Sequence, residues 1–324
     1  MRYIIKITKS SRIPLIGCIA FGVIDRGTNL IQVRPTTVCN LNCCFCSTAA
    51  GMESIAHNID YIVEADYLLD WVNWAARFKG PIEVLIDSVG EPATYPELIK
   101  LIKGLRAIKE IKRVSMETNG TLLTKKKITE LKEAGLDQIN LSLHSLDEGL
   151  ARQLAGASYN INQILQAINF ILENKIDLLI APVWLHGIND DEIIKIIKLA
   201  KAKGLKLAIQ KYEAHKYGRK INIKKQTWYG FYKQLKQWEL AYDIKLVYRS
   251  VDLGITPAKR IPLAFEKRAK VNLIVACRGW HYNQMIGIAK ERCISINNCS
   301  RKIGDKTKVR ILENKNNIYI ATTY

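Results

Sequence analysis

The sequence predicts an α/β fold: a partial, TIM-like (β/α)6 barrel followed by a small C-terminal β-barrel. Apolar strand-like runs and amphipathic helical stretches alternate regularly from Leu30 to about Gln210, and six βα-type units in succession demand a parallel sheet with helices outside it. That count suits an open six-stranded barrel better than a closed eight-fold one. From about Lys259 the beat changes to short β-like runs, as in a small barrel or OB-like module.

The elements follow in order. Tyr3–Thr8 and Ile16–Ile24 read as two strands, a hairpin or a sheet extension, and Leu30–Arg34 as the first core strand. Glu64–Lys79 has helical periodicity (Leu68, Leu69, Val72, Ala75, Ala76) and stops at Gly80-Pro81. Strands are expected at Ile82–Ile86, Arg113–Glu117, Gln138–Leu143, Asp177–Ala181 and Leu205–Gln210. Helices are expected at Tyr95–Glu110, Thr124–Ala134, Asn160–Asn174 and Asp190–Lys203, with Gly135 and Gly204 as stops. Thr227–Ala241 is a further helix, with Trp228, Phe231, Leu235 and Trp238 as its packing face. Beyond it, Val271–Val275, Gln284–Ala289, Cys293–Ile296, Lys308–Leu312 and Asn317–Ala321 are short strands. The expected organisation is an N-terminal β extension (1–28), a core (29–258) and a C-terminal β-barrel (259–324).

The chain has 324 residues, 48% of them hydrophobic, enough for a substantial core. No uncharged apolar run of about 18 residues appears, so no membrane span is expected. The start alternates charged and apolar residues without a secretory apolar block, which implies a cytoplasmic protein. Four of the eight cysteines lie between Cys39 and Cys46, which is no disulfide framework and suits a reducing compartment. Lys and Arg total 49 against 30 acidic residues, a net charge of +19 that favours a polyanionic partner such as nucleic acid.

Cys39, Cys43 and Cys46 are spaced C-x3-C-x2-C, with Phe45 just before the last. Three thiolates on one short loop can ligate a cubane cluster while leaving one iron open, whereas electron-transfer sites use four cysteines. Zinc ribbons pair two C-x2-C knuckles, and no second C-x2-C occurs. Cys44 points elsewhere. Cys277, Cys293 and Cys299 are either a second cluster site or small buried residues of a β core.

The spacing and Phe45 resemble the signature loop of the radical S-adenosylmethionine (radical SAM) superfamily. The resemblance implies a 4Fe-4S cluster whose open iron binds S-adenosylmethionine, reductive cleavage to a 5′-deoxyadenosyl radical, and a low-potential electron donor such as ferredoxin. It places Phe45, Gly90, Glu91, Pro92, Asn119, Ser142, Pro182 and Gln210 around S-adenosylmethionine, with Gly90-Glu91-Pro92 receiving the methionine amine. Asp87 is the alternative acceptor. His144 and His186 lie where substrate groups would point, as proton relays or as structural histidines.

The stretch from Asp25 to Lys220 is similar to an uncharacterised archaeal branch of that superfamily, through Asp25-Arg26-Gly27-Thr28-Asn29, Arg34-Pro35-Thr36-Thr37 and Ile180-Ala181-Pro182-Val183-Trp184. The tail resembles the TRAM domain through Gly304-Asp305-Lys306-Thr307-Lys308-Val309-Arg310-Ile311 and Asn317-Ile318-Tyr319-Ile320-Ala321. That implies RNA (tRNA or rRNA) as substrate. Lys211, Tyr212, His215, Lys216 and Arg219 after the last core strand are candidate RNA contacts, as are Arg278, Arg310 and an exposed Trp280, His281 or Tyr282. The alternatives are a radical SAM enzyme acting on a small molecule, lipid or protein side chain, and an iron–sulfur RNA-binding protein with a structural cluster.

Overall fold

The computed structural model describes residues 3–324. They form two compact units. One comprises the residues up to Val38 with Ser54–Val114 and Thr256–Tyr324; the other comprises Cys39–Glu53 and Ser115–Ile255.

The first unit begins with β1 (Tyr3–Ile7), β2 (Gly22–Asp25), β3 (Leu30–Arg34), β4 (Ile59–Val63), α1 (Ala65–Lys79), β5 (Ile82–Ile86) and α2 (Leu98–Arg106). β3 and β5 pair in parallel, and β2 lies antiparallel on β3. Of the two N-terminal expectations the hairpin does not form, while β2 does extend the sheet; β1 pairs in parallel with β4, a strand not expected from the sequence. The apolar residues before β2 cannot pair with β1 because their backbone is used elsewhere. Ile16 O accepts from Cys293 N (2.8 Å) and Gly17 O from Tyr319 N (3.0 Å), both in the C-terminal barrel. Gly17 has φ +121°, and a Cβ there would lie 2.0 Å from the Cys293 carbonyl oxygen, so only glycine allows this approach.

β6 (Ile111–Thr118) leads into the second unit, followed by α3 (Lys125–Glu133), β7 (Gln138–Leu141), α4 (Glu148–Ala155), α5 (Ile161–Glu173) and β8 (Asp177–Ile180). Then come β9 (Val183–Trp184), α6 (Asp190–Lys203), β10 (Lys206–Leu207), β11 (Gln210–Lys211) and α7 (Trp228–Tyr242). β6, β7, β8 and β10 pair in parallel, as the βα alternation requires. The strand expected at Leu205–Gln210 is split into β10 and β11, and β11 pairs with β9. Pro182 interrupts the ladder because it has no N–H to donate, although its carbonyl still accepts from Gln210 N (2.8 Å). α4 was not foreseen. It is eight residues long, too short to stand on propensity alone, and is set by its Asp147 N-cap and by Gly156 at φ +58°.

The C-terminal strands are β12 (Lys270–Arg278), β13 (Met285–Ala289), β14 (Arg292–Asn297), β15 (Lys306–Glu313) and β16 (Ile320–Thr323). They close into a barrel in the order β12-β13-β14-β16-β15. β14 and β16 are parallel and the remaining pairs antiparallel, a Greek-key arrangement consistent with the OB-like expectation. β12 alternates exposed and buried residues, and Val271, Leu273, Val275, Ile294, Ile296, Val309 and Ile311 fill the interior. The last strand starts three residues later than its apolar pattern suggests, because Lys315–Asn317 form a 3₁₀ turn with Asn316 at φ 57°.

Two buried ion pairs brace this first unit. The Arg34 guanidinium grips Asp87 through Nε (2.6 Å to Oδ1) and Nη2 (3.0 Å to Oδ2). Lys79 Nζ bonds Asp25 Oδ1 (2.9 Å) and the Lys259 carbonyl (2.5 Å), while Asp25 Oδ2 accepts from Ile261 N (2.7 Å). The Asp25–Asn29 motif therefore has a structural role, tying down the segment that enters the barrel.

Candidate functional site

The cysteine loop of the second unit has no regular secondary structure, so its shape depends on what grips its backbone. The C-terminal end of α4 takes one side: Asn42 N donates to Ala155 O (2.9 Å) and Cys44 N to Leu154 O (3.0 Å). A Cβ on Gly156 would come within 2.4 Å of Asn42 O, so close approach requires glycine there. The other side is held by the segment after β11. Arg219 N donates to Cys46 O (2.8 Å), and Arg219 Nη1 donates to Ala50 O (2.7 Å) and Cys43 O (3.2 Å). Arg219 thus tethers the cysteine loop and does not present a free cation to substrate.

Burial pushes the Cys43 thiol well above its ordinary range, and the neighbouring Cys46, Cys39 and Cys44 sulfurs push it further; Arg219 opposes them only weakly. Among the described residues, no three His, Cys, Asp or Glu side chains are drawn around one point like the ligands of a metal ion. Cys39, Cys44 and Cys46 thus lie near enough to Cys43 to affect its titration. Cys46 Sγ also lies 3.3 Å from Thr48 Oγ1.

Phe45 is buried and meets the His144 ring edge-on, with centroids 4.8 Å apart. His144 Nδ1 accepts from Val183 N (3.0 Å), so its proton sits on Nε2. Desolvation lowers its pKa to about 4, which keeps the ring neutral at physiological pH. His144 is a positioning group for Phe45 and not a charged relay.

Most of the remaining candidates of this unit stand at C-terminal strand ends. Asn119 follows β6, Ser142 follows β7 and Pro182 lies just beyond β8, whereas Gln210 opens β11. Asn119 Nδ2 donates to Asn40 Oδ1 inside the cysteine loop (3.0 Å), while Asn40 Nδ2 donates to Thr121 Oγ1 (2.8 Å). The helix that follows Ser142 is capped by Asp147, whose side chain accepts from Leu150 N.

Gly90, Glu91 and Pro92 belong to the first unit, just after β5. Glu91 N donates to the carbonyl of Val38, the residue preceding Cys39 (2.8 Å). A Cβ on Gly90 would lie 2.3 Å from both Thr37 O and Val38 O. Glu91 is 2% exposed and accepts from Ala93 N through Oε1 (2.9 Å), which starts the short 3₁₀ turn containing Pro92.

The structure corrects several substrate expectations. Trp280 is 3% exposed and stacks on His57 with centroids 4.4 Å apart, so it offers no platform to a base. Lys211 is ion-paired to Glu213 (2.6 Å) and lies over the Trp228 ring, and Tyr212 packs with Phe45, Leu154 and Leu185. His215, Lys216, Arg278 and Arg310 are exposed. The thiols of Cys277 and Cys293 interact with Cys18 and not with Cys299, which packs in the barrel core. Burial and Cys18 push Cys277 up to about 12, so it stays a protonated, packed thiol.

The grip of Arg219 and α4 on the cysteine loop was missed. Their sequence signals, an arginine beside Gly218 and a short capped helix, do not name their partners.

A family model described as the Radical SAM superfamily matches residues 33–200. An uncharacterised protein of Methanocaldococcus jannaschii is 39% identical over 340 aligned positions, covering 95% of this chain and 78% of that protein. GTP 3′,8-cyclase of Clostridium perfringens is 33% identical over 175 positions, covering 54% of this chain and 52% of the cyclase. The structure of Streptococcus suis SuiB bound to S-adenosylmethionine superposes with a TM-score of 0.53 at 22% identity, over 66% of this chain and 47% of SuiB. The chain therefore spans about half the length of the cyclase and of SuiB.

Proposed function

The chain belongs to the radical SAM superfamily, whose members use a 4Fe-4S cluster and S-adenosylmethionine, and we propose that it applies this chemistry to RNA. Cys39, Cys43 and Cys46 would hold the cluster. Three all-sulfur donors suit iron–sulfur chemistry, and burial, helped by the neighbouring sulfurs, holds the Cys43 thiol protonated, a state that a bound cationic centre would reverse by taking up the thiolate. When bound, the cluster and S-adenosylmethionine supply a carbon radical able to take hydrogen from an unactivated position. The chain's own groups position and exclude. Arg219 and the α4 carbonyls hold the loop, and Phe45, backed by neutral His144, keeps an apolar wall beside it. Asn119, Ser142, Pro182 and Gln210 offer polar and backbone groups at strand ends, and the buried Glu91 carboxylate suits an ammonium. A reducing compartment, the cytoplasm, would suit such a cluster.

The observation that carries the RNA reading is a ladder of cations on the outer face of the barrel. Lys270 lies directly opposite Arg310, and Lys308 and Lys306 follow on the same face of β15. All four are exposed, and among the described residues none is ion-paired with a carboxylate. Like charges directly opposite in a ladder cost stability, and an anion binding there would offset that cost. Same-face residues recur about every 7 Å along a strand, a repeat that suits successive phosphates. The Tyr324 ring lies beside both Lys270 (5.6 Å) and Arg310 (5.3 Å), and Arg278 extends the cationic face along β12. We read the barrel as the TRAM-like RNA-holding part of the chain.

A second reading, a small nucleotide as substrate, is favoured by the likeness to GTP 3′,8-cyclase. Nucleosides of total RNA from cells with and without the gene separate the two. A modified nucleoside that disappears with the gene is the expected result; an unchanged nucleoside profile would overturn the RNA reading.

A further inference from the structure

We propose that the strap from His215 to Lys225 is the docking surface for an acidic, low-potential electron-carrier protein, and so the place where the electron enters. This rests on the radical SAM reading above, and it reassigns His215 and Lys216 from substrate to carrier.

The strap has two different sides. Its inner side is bonded to the cysteine loop: Arg219 reaches the carbonyls of Cys46, Cys43 and Ala50, and a Cβ on Gly218 would sit 2.8 Å from Ser47 O. Its outer side is cationic. His215, Lys216, Lys220, Lys224 and Lys225 are exposed, there is no Asp or Glu between His215 and Lys225, and among the described residues none of these lysines is ion-paired. A surface of one sign steers and orients a partner of the other sign.

A cleft of about 250 Å³ lies against the strap, lined by His186, Gly187, Ile188, Asn222, Ile223 and Lys224. Two of its lining residues lead inward. Ile188 and Ile223 pack on the buried group Phe45, Leu154 and Leu185, which Cys43 and Cys44 also touch. A carrier seated over this cleft would be separated from the cysteine loop by one layer of apolar side chains. Tunnelling rates fall exponentially with distance, so transfer through packed side chains that reach from the cleft to Cys43 and Cys44 would be favoured over a longer path. In the transfer the carrier loses one electron and is oxidised, the cofactor site gains it and is reduced, and no covalent bond forms between carrier and strap.

The test compares two reductants on the reconstituted full chain carrying Lys220→Glu, Lys224→Glu and Lys225→Glu together, with 5′-deoxyadenosine as the readout. With reduced ferredoxin as carrier, the triple variant should be about tenfold slower at low salt, and wild type should slow towards it as salt rises. With dithionite, a small-molecule reductant, the variant should match wild type. Equal rates with ferredoxin would overturn the proposal, as would an equal loss with both reductants, which would mean structural damage. Loss of RNA binding with ferredoxin rates unchanged would assign the strap to RNA. If wild type makes no 5′-deoxyadenosine even with dithionite, it is the radical SAM reading that fails.

Discussion

Arg219 is where the sequence alone said least and the structure says most. Its position in a run of cations suggested a phosphate contact, but its guanidinium bonds two carbonyls of the cysteine loop 169 and 176 residues earlier. A planar fork reaching two acceptors is not replaced by a lysine's point charge. Arg219→Ala and Arg219→Lys should therefore both lower the iron retained after reconstitution while circular dichroism stays unchanged; full iron retention in Arg219→Lys would reduce the role to charge. The cysteine spacing stands out in the sequence because its residues are local, whereas Arg219 depends on a contact far away in sequence.

His144 adds a pH dependence at the same scale. Its folded pKa is about 4 against an ordinary 6.5, so on acidification the unfolded chain takes the proton first. Its contribution is fully present above pH 6.5 and is lost as pH falls through about 4. Thermal melts of the apo protein across that window should show the loss, and His144→Gln should lack that component of it.

Among the elements, most helices and the strands β3, β5, β6, β7 and β8 followed from periodicity, while α4 and β4 did not, and Asp190–Lys203 matches its expected bounds. The N-terminal pairing did not, because register depends on which partner uses the backbone groups. The run Ile16–Ile24 had the apolar character of a strand, but it becomes one only from Gly22, because Ile16 and Gly17 are bonded to the barrel. Gly17→Ala should lower the melting temperature, since both its φ and the Cys293 carbonyl oppose a side chain; an unchanged melt would show that the docking adapts. Lys79→Ala leaves Asp25, whose side chain is 2% exposed, without its cation. Breaking such a pair costs about 3–5 kcal/mol, measurable by urea unfolding. The double variant Lys79→Met with Asp25→Asn should recover part of that loss.

For the molecule as a whole, net charge led to the expectation of a polyanionic partner without indicating a surface for it. The cations fall into two groups. Lys79, Arg34 and Arg219 brace the fold, and others stand unpaired on the barrel and the strap. Only the three-dimensional contacts make that division. No helix among the described residues is long and apolar enough to cross a membrane. The barrel ladder predicts that binding to single-stranded RNA weakens steeply with salt, with a slope of about −0.7 per phosphate contact. Replacing Lys306, Lys308 and Arg310 with Glu should flatten that slope, and a slope unchanged in the triple variant would move the RNA elsewhere.

The proposed chemistry depends on the cysteine loop holding the cluster that cleaves S-adenosylmethionine. The most direct measurement is 5′-deoxyadenosine formation by the anaerobically reconstituted, dithionite-reduced protein, with iron quantified in the same sample. Wild type should hold about four irons per chain and form 5′-deoxyadenosine, and Cys43→Ala should lose both. Iron-loaded wild-type protein that forms no 5′-deoxyadenosine, or a Cys43→Ala variant that still forms it, would contradict this assignment.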